Sequence, residues 1–231
     1  MHRPEIPSDV KRQLRQEAGF GCCFCGFPFC DYHHINPWAR KNAHDPNDLM
    51  LVCPNHHRAC RAAISEEEQR EAKQNPTNIQ SGLVNGKLYL GKQDLIIDIG
   101  STIIRDTPTI FSDVKSKMDY MGLKIDETGI LNLSMILVDK NGTQLGIIRD
   151  NEWAVLVEDA WDLEATEQLV TCRLGRGDIA IRIDARKSPV QITGCWNFNG
   201  SLINVTRSQI KLGSNSFSGG SIKGGGSAFG I

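Results

Sequence analysis

No stretch of the 231 residues approaches the roughly 18 consecutive apolar residues that mark a membrane span. The opening segment, MHRPEIPSDVKRQLRQ, lacks the apolar centre of a secretory signal. A cytoplasmic protein without a membrane partner is expected. Thiols stay reduced in that compartment, so clustered cysteines point to metal or to burial rather than to disulfides. A charge excess is missing too: 26 basic side chains face 27 acidic ones, leaving a formal net charge of -1. Global basicity therefore advertises no nucleic-acid partner, and any such contact must come from a local patch. Histidine is absent beyond position 57. All six histidines lie at or before His57, and six of the eight cysteines lie at or before Cys60. That crowding is the strongest signal in the chain.

The pattern divides near Asn75-Pro76. Before it, Ser8 and Asp9 precede a short basic helix, VKRQLRQEAG. Pro54 suits the first turn of a second helix, where its missing N–H would be unpaired anyway, and Asn55 to Lys73 contains neither Gly nor Pro. After it, short apolar runs such as KLYL, DLIIDI, ILNLSMILV, WAVLVE and DIAIRID alternate with turn residues, which predicts strands. Asp139-Lys-Asn-Gly142 reads as a tight hairpin turn, and Ile179, Ile181 and Ile183 share one face of their strand. The expectation is an α+β chain: residues 1–77 form a small metal-stapled domain, and residues 78–231 an all-β domain, either a sandwich or a β-solenoid. The Gly- and Ser-rich tail fits a flexible end or the last solenoid turns. The segment DNEWAVLVEDAWDLE mixes polar with apolar residues, and the sequence supplies no mechanism for it. Trp153, Trp161 and Trp196 are expected in the core or at an interface.

Cys22-x-x-Cys25 and Cys53-x-x-His56 each place two donors at the ends of a tight turn, and together they make a four-ligand set suited to structural zinc. The 27 residues between the pairs exceed a zinc-ribbon interval, so something is inserted between the knuckles. The insert carries His33 and His34. Cys23, Cys30 and Cys60 are spare thiols expected to be buried, with Cys23 a competitor for Cys22, and His44 is expected to be solvated.

HHINP, a loop, and a Cys-x-x-His-His helix start, interleaved with paired knuckles, resemble the HNH endonucleases with their ββα-metal motif. The resemblance covers roughly residues 10–75. It implies a metal-dependent phosphodiesterase acting on nucleic acid, with DNA favoured, and a catalytic Mg²⁺ or other divalent cation beside the structural Zn²⁺. His34 matches the general base, while His33 and His57 match metal ligands. The family's central Asn falls at Asp48, with Asn47 one position earlier, so Asp48 is assigned to the metal and Asn47 to its surroundings. Neutral His34 suits a base near its ordinary pKa of about 6.5. Successive side chains of a strand point to opposite faces, so His33 and His34 can share a site only where the strand ends, which Asn36-Pro37 permits.

Arg40, Lys41, Arg58 and Arg61 flank these positions and are candidate phosphate contacts, while Glu66, Glu67 and Glu68 read as an exposed helix face. An appended β domain suggests control by an activating ligand, a partner protein or homo-oligomerisation. That architecture suits a bacterial or mobile-element nuclease, including a phage-defence effector. The competing reading is a zinc-dependent nucleic-acid-binding or assembly module without catalysis.

Overall fold

A computed structural model describes residues 4–231, with the side chain of Lys41 outside the described residues. Strands dominate and helices are few, giving a mixed α+β chain. Among the described residues no helix is long and apolar enough to cross a membrane.

The N-terminal part begins with helix α1 (Ser8–Glu17), which buries Leu14 and Arg15. Gly19 and Phe20 then turn the chain through left-handed backbone, φ 61° and 62°. A Cβ at Gly19 would come within 2.8 Å of the Asn78 Cβ, so glycine is required there both by conformation and by space. Strand β1 (Asp31–His34) pairs antiparallel with β2 (Leu49–Val52), with His33 opposite Met50 and His34 opposite Leu49. Between them lie helix α2 (Trp38–Lys41) and a 3₁₀ turn at Pro46–Asp48. All four β2 residues are buried, with α1 and α3 (Pro54–Ala62) packed against them.

The helix expected over Asn55 to Lys73 is two helices. The chain breaks after Ala62 and restarts as α4 (Glu66–Gln74). Ser65 causes the restart: its hydroxyl accepts the Glu68 N–H at 3.2 Å, while the Glu68 carboxylate accepts the Ser65 N–H at 2.8 Å. This reciprocal capping box satisfies two N-terminal donors and competes with helix continuation. The break folds α4 back toward β1 and so delivers Gln69 to His33.

Helix α5 (Thr77–Ser81) carries the chain into the β-rich part. It is tied to the first knuckle: Asn78 Nδ2 donates to the Gly19 and Gly26 carbonyls at 3.0 and 2.9 Å, and the Thr77 hydroxyl donates to Phe24 O at 2.9 Å. Beyond it, one sheet orders its strands as Ser227–Gly230, Thr109–Ser112, Asp119–Ile125, Leu131–Val138, Gln144–Arg149, Glu152–Leu156 and Leu83–Lys87. The other runs in sequence order from Asp162–Thr166 to Asn215–Phe217, with Ile96–Ile99, Thr102–Arg105 and Ser221–Lys223 branching from it. Both are mostly antiparallel meanders, unlike the parallel stacking of a solenoid.

One hydrophobic core draws on both sheets, including Trp153, Trp196, Ile181 and Ile183, and also takes Phe20 and Phe29 from the first knuckle region. The hairpin at Asp139–Gly142 forms as read, the Asp139 carboxylate accepting from the Asn141 and Thr143 N–H groups at 2.8 Å each. The glycine-rich tail is neither loose nor solenoidal. Its segment Ser221–Lys223 adds in parallel to Thr102–Arg105, and Ser227–Gly230 adds in parallel to Thr109–Ser112, so one tail joins both sheets.

The segment that had no mechanism in sequence docks on α1. Arg15 makes a bidentate pair with Asp162, at 2.7 and 2.8 Å, and also donates to the Tyr32 hydroxyl at 2.6 Å. Burial opposes the guanidinium charge, but the Asp162 bond and nearby acidic groups hold its pKa above the ordinary value. Trp161 lies under Arg12, whose guanidinium carbon is 4.7 Å from the ring centre. Tyr32 precedes His33 on β1, so this contact links the β-rich part to the strand that carries the histidine pair.

Candidate metal centre and histidine cleft

The two knuckles converge. Cys22, Cys25, Cys53 and His56 place one donor atom each within 4.8 Å of one another. Cys25 Sγ and Cys53 Sγ are 3.9 Å apart, and His56 Nδ1 lies 3.5 Å from Cys22 Sγ and 3.3 Å from Cys53 Sγ. A tetrahedral ion with Zn–S bonds of about 2.3 Å and a Zn–N bond of about 2.0 Å separates its sulfurs by about 3.8 Å and a sulfur from the nitrogen by about 3.5 Å. The donor set therefore has the chemistry and the spacing of a structural metal site. Phe24 stacks on the His56 ring at 4.9 Å, which fixes the plane of the imidazole. Burial pushes the Cys22 thiol up to about 12, so a cation at this centre must displace a tightly held proton.

The spare thiols stay out of the cluster. Cys30 Sγ donates to Phe27 O at 3.0 Å, and burial raises Cys23 and Cys60 to about 11 each. Cys23 and Cys60 are buried packing thiols as expected, whereas Cys30 is only half-buried.

A second feature lies beside the cluster. His33, His34 and His57 line one cleft of about 490 Å³, together with Tyr32, Arg61 and Glu66 among others. The His33 and His57 rings meet edge to face with centroids 5.2 Å apart. Their hydrogen bonds assign their tautomers. Gln69 Nε2 donates to the Cys60 and Ile64 carbonyls at 3.1 and 2.9 Å, so its Oε1 is the acceptor for His33 Nε2 at 3.0 Å. His33 thus carries its proton on Nε2 and its lone pair on Nδ1. His57 Nδ1 donates to the Asp31 carboxylate at 3.0 Å, which leaves the lone pair on Nε2. A carboxylate or amide partner on one nitrogen is the arrangement that orients metal-ligating imidazoles. Burial lowers the His33 pKa, with the Gln69 bond acting the other way, which favours the neutral ring a metal requires.

His34 takes a different direction. Its Nε2 lies 3.3 Å from His44 Nδ1, and His44 Nε2 lies 2.9 Å from Pro4 O. The alternation of the strand accounts for the divergence: His33 reaches α4 while His34 reaches the loop after α2, and both border the cleft because β1 ends at His34.

The remaining expected residues are dispersed. Asp48 is buried and pairs with Arg70 at 2.9 Å; it is not gathered with His33 and His57, and the one cluster of three or more such donors among the described residues is the Cys₃His set. Its backbone carbonyl instead accepts the Ile35 N–H at 2.8 Å, as a strand-pairing residue would. Asn47 is exposed, its N–H donating to Asp45 Oδ1 at 2.9 Å. Arg40 pairs with Glu66 at 3.2 Å, and Arg58 reaches Asn55 Oδ1 at 3.5 Å. Arg61 borders the cleft. The Lys41 side chain lies outside the described residues. Sequence reading missed Asp31, Gln69 and His44; of these, Asp31 alone carried a local signal, standing two positions before His33 on the same strand face.

Compared with protein-family models, curated proteins and solved structures, the chain matches none.

Proposed function

We propose that the N-terminal part is a metal-dependent endonuclease of the HNH type, hydrolysing phosphodiester bonds of nucleic acid, with DNA favoured, on a frame stapled by zinc at Cys22, Cys25, Cys53 and His56. The observation that carries this reading is the cleft itself: three histidines from two elements border it, each with one ring nitrogen already hydrogen-bonded. The order of strand, strand and helix around it supports the same reading, and so does the Cys₃His cluster that anchors the start of α3.

In this reading His33 through Nδ1 and His57 through Nε2 would hold a divalent cation, which would offset charge at the phosphate and at the leaving oxygen. Two imidazole donors suit Mn²⁺, Ni²⁺ or Zn²⁺ better than Mg²⁺, which prefers oxygen. His34 takes a proton from the attacking water. Arg61 faces the phosphate backbone, a contact that positions without reading sequence. Asp48 braces the start of β2 through Arg70 and stays outside the cation's ligands. The β-rich part acts on the nuclease through Arg15, Asp162 and Tyr32, in response to a ligand, a partner protein or a second copy.

The test is cleavage by the intact chain with His57→Ala alongside. Loss of cutting in the variant, with zinc content unchanged, supports separate roles for adjacent His56 and His57. Binding of nucleic acid without cutting by wild type under every cation favours the alternative, a non-catalytic zinc module.

A further inference from the structure

We propose that His44 is the positioning residue for His34, selecting the ring tautomer that makes Nδ1 the basic nitrogen. The proposal rests on the nuclease reading for its consequence in rate, but its chemistry follows from three contacts. A backbone carbonyl can only accept, so the 2.9 Å contact between His44 Nε2 and Pro4 O puts the proton of neutral His44 on Nε2. His44 Nδ1 is then an acceptor, and the 3.3 Å contact with His34 Nε2 makes that nitrogen of His34 the donor. The opposite tautomer of His34 would set two lone pairs against each other. One carbonyl at Pro4 thereby fixes the protons of two rings in series.

The surroundings hold this chain of contacts in place. Asn42 ends α2 in left-handed backbone, φ 50°, a conformation that asparagine tolerates better than most residues. It turns the loop so that His44, two residues on, returns to the end of β1. Trp38 packs against the His44 ring at 4.5 Å and meets the His34 ring edge-on at 5.9 Å. The indole therefore orients both rings, and His44 is half-buried rather than solvated. Nothing in the local sequence marks His44, because its partners lie ten and forty positions away.

Two variants separate positioning from packing. His44→Phe keeps a ring against Trp38 but has no acceptor, whereas His44→Asn keeps an acceptor close to the place of Nδ1 and gives up the ring. Orienting partners of this kind are worth roughly 10–100-fold in activity. The expected result is a kcat loss of that size in His44→Phe with KM for nucleic acid unchanged, and recovery to within a few-fold of wild type in His44→Asn. Nitrogen NMR of the imidazoles provides a readout independent of cleavage: His34 Nε2 is protonated in the wild type and in His44→Asn, and the ring becomes a tautomer mixture in His44→Phe. Equal activity in His44→Phe and wild type, or His34 protonated on Nδ1 in the wild type, overturns the proposal. If no cation supports cleavage while the NMR shows the expected tautomer, it is the nuclease reading that fails and the assignment of His44 to His34 that stands.

Discussion

Breaking the Arg15–Asp162 pair should cost more than breaking any other ion pair among the described residues, because both side chains are almost removed from water. Their side-chain exposures are 9% and 5%. Asp162→Ala leaves the Arg15 guanidinium buried with Tyr32 and the more distant Glu164, the latter at 3.1 Å and 44% exposed. Removing one partner of a buried pair typically costs about 3–5 kcal/mol. With a urea slope of about 2–3 kcal/mol per molar, the unfolding midpoint should fall by roughly 1–2.5 M. The double variant Arg15→Met, Asp162→Leu should recover most of that loss, since no charge is then stranded and Arg173 keeps Glu164 at 3.1 Å. Urea unfolding followed by tryptophan fluorescence checks the series. Single-variant losses below about 1 kcal/mol would match an exposed pair instead, and the idea that this contact locks the β-rich part onto α1 would be wrong.

The Cys₃His cluster should bind one zinc per chain, and Cys53→Ser should lose it. Because burial pushes the Cys22 thiol up to about 12, protons compete with a metal: affinity should fall as pH drops and proton release should accompany binding, both measurable by calorimetry in buffers of different ionisation enthalpy. Asp31→Ala frees His57 Nδ1 from its carboxylate, and cation affinity in the cleft should drop roughly 10–100-fold with zinc retained; an unchanged cation titration would remove Asp31 from the site. Ser65→Ala removes the hydroxyl that starts α4 and should destabilise by about 1 kcal/mol, read as a small shift in thermal midpoint.

What the sequence revealed followed the range of each interaction. The Cys₃His cluster was legible because each pair is closed within one turn of chain, so spacing alone determines where the donors can meet. The hairpin at Asp139–Gly142 and the buried face of Ile181 and Ile183 were legible for the same reason. The partners of the cleft histidines were not. Gln69 reaches His33 only because Ser65 and Glu68 break the long helix, a capping box that the absence of Gly and Pro concealed. Asp48 was assigned by position, but its side chain is drawn to Arg70, a residue of α4 whose location depends on that same break. The contacts of Arg15 with Asp162 and of the tail strands with Thr102–Arg105 and Thr109–Ser112 join positions more than a hundred residues apart, and no local pattern encodes them.

We propose His34 as the base of a metal-dependent nuclease. The most direct test is cleavage of plasmid DNA and of RNA by the intact protein with Mn²⁺, Ni²⁺, Mg²⁺ or chelator, beside His34→Ala with zinc content measured in both. Cutting by the wild type is expected only with added cation, with a loss of roughly 10²–10⁴-fold in the variant at equal zinc loading. Equal cleavage by the two proteins, or no cleavage of any substrate by the wild type, would contradict the proposal and leave a zinc-stapled binding module in its place.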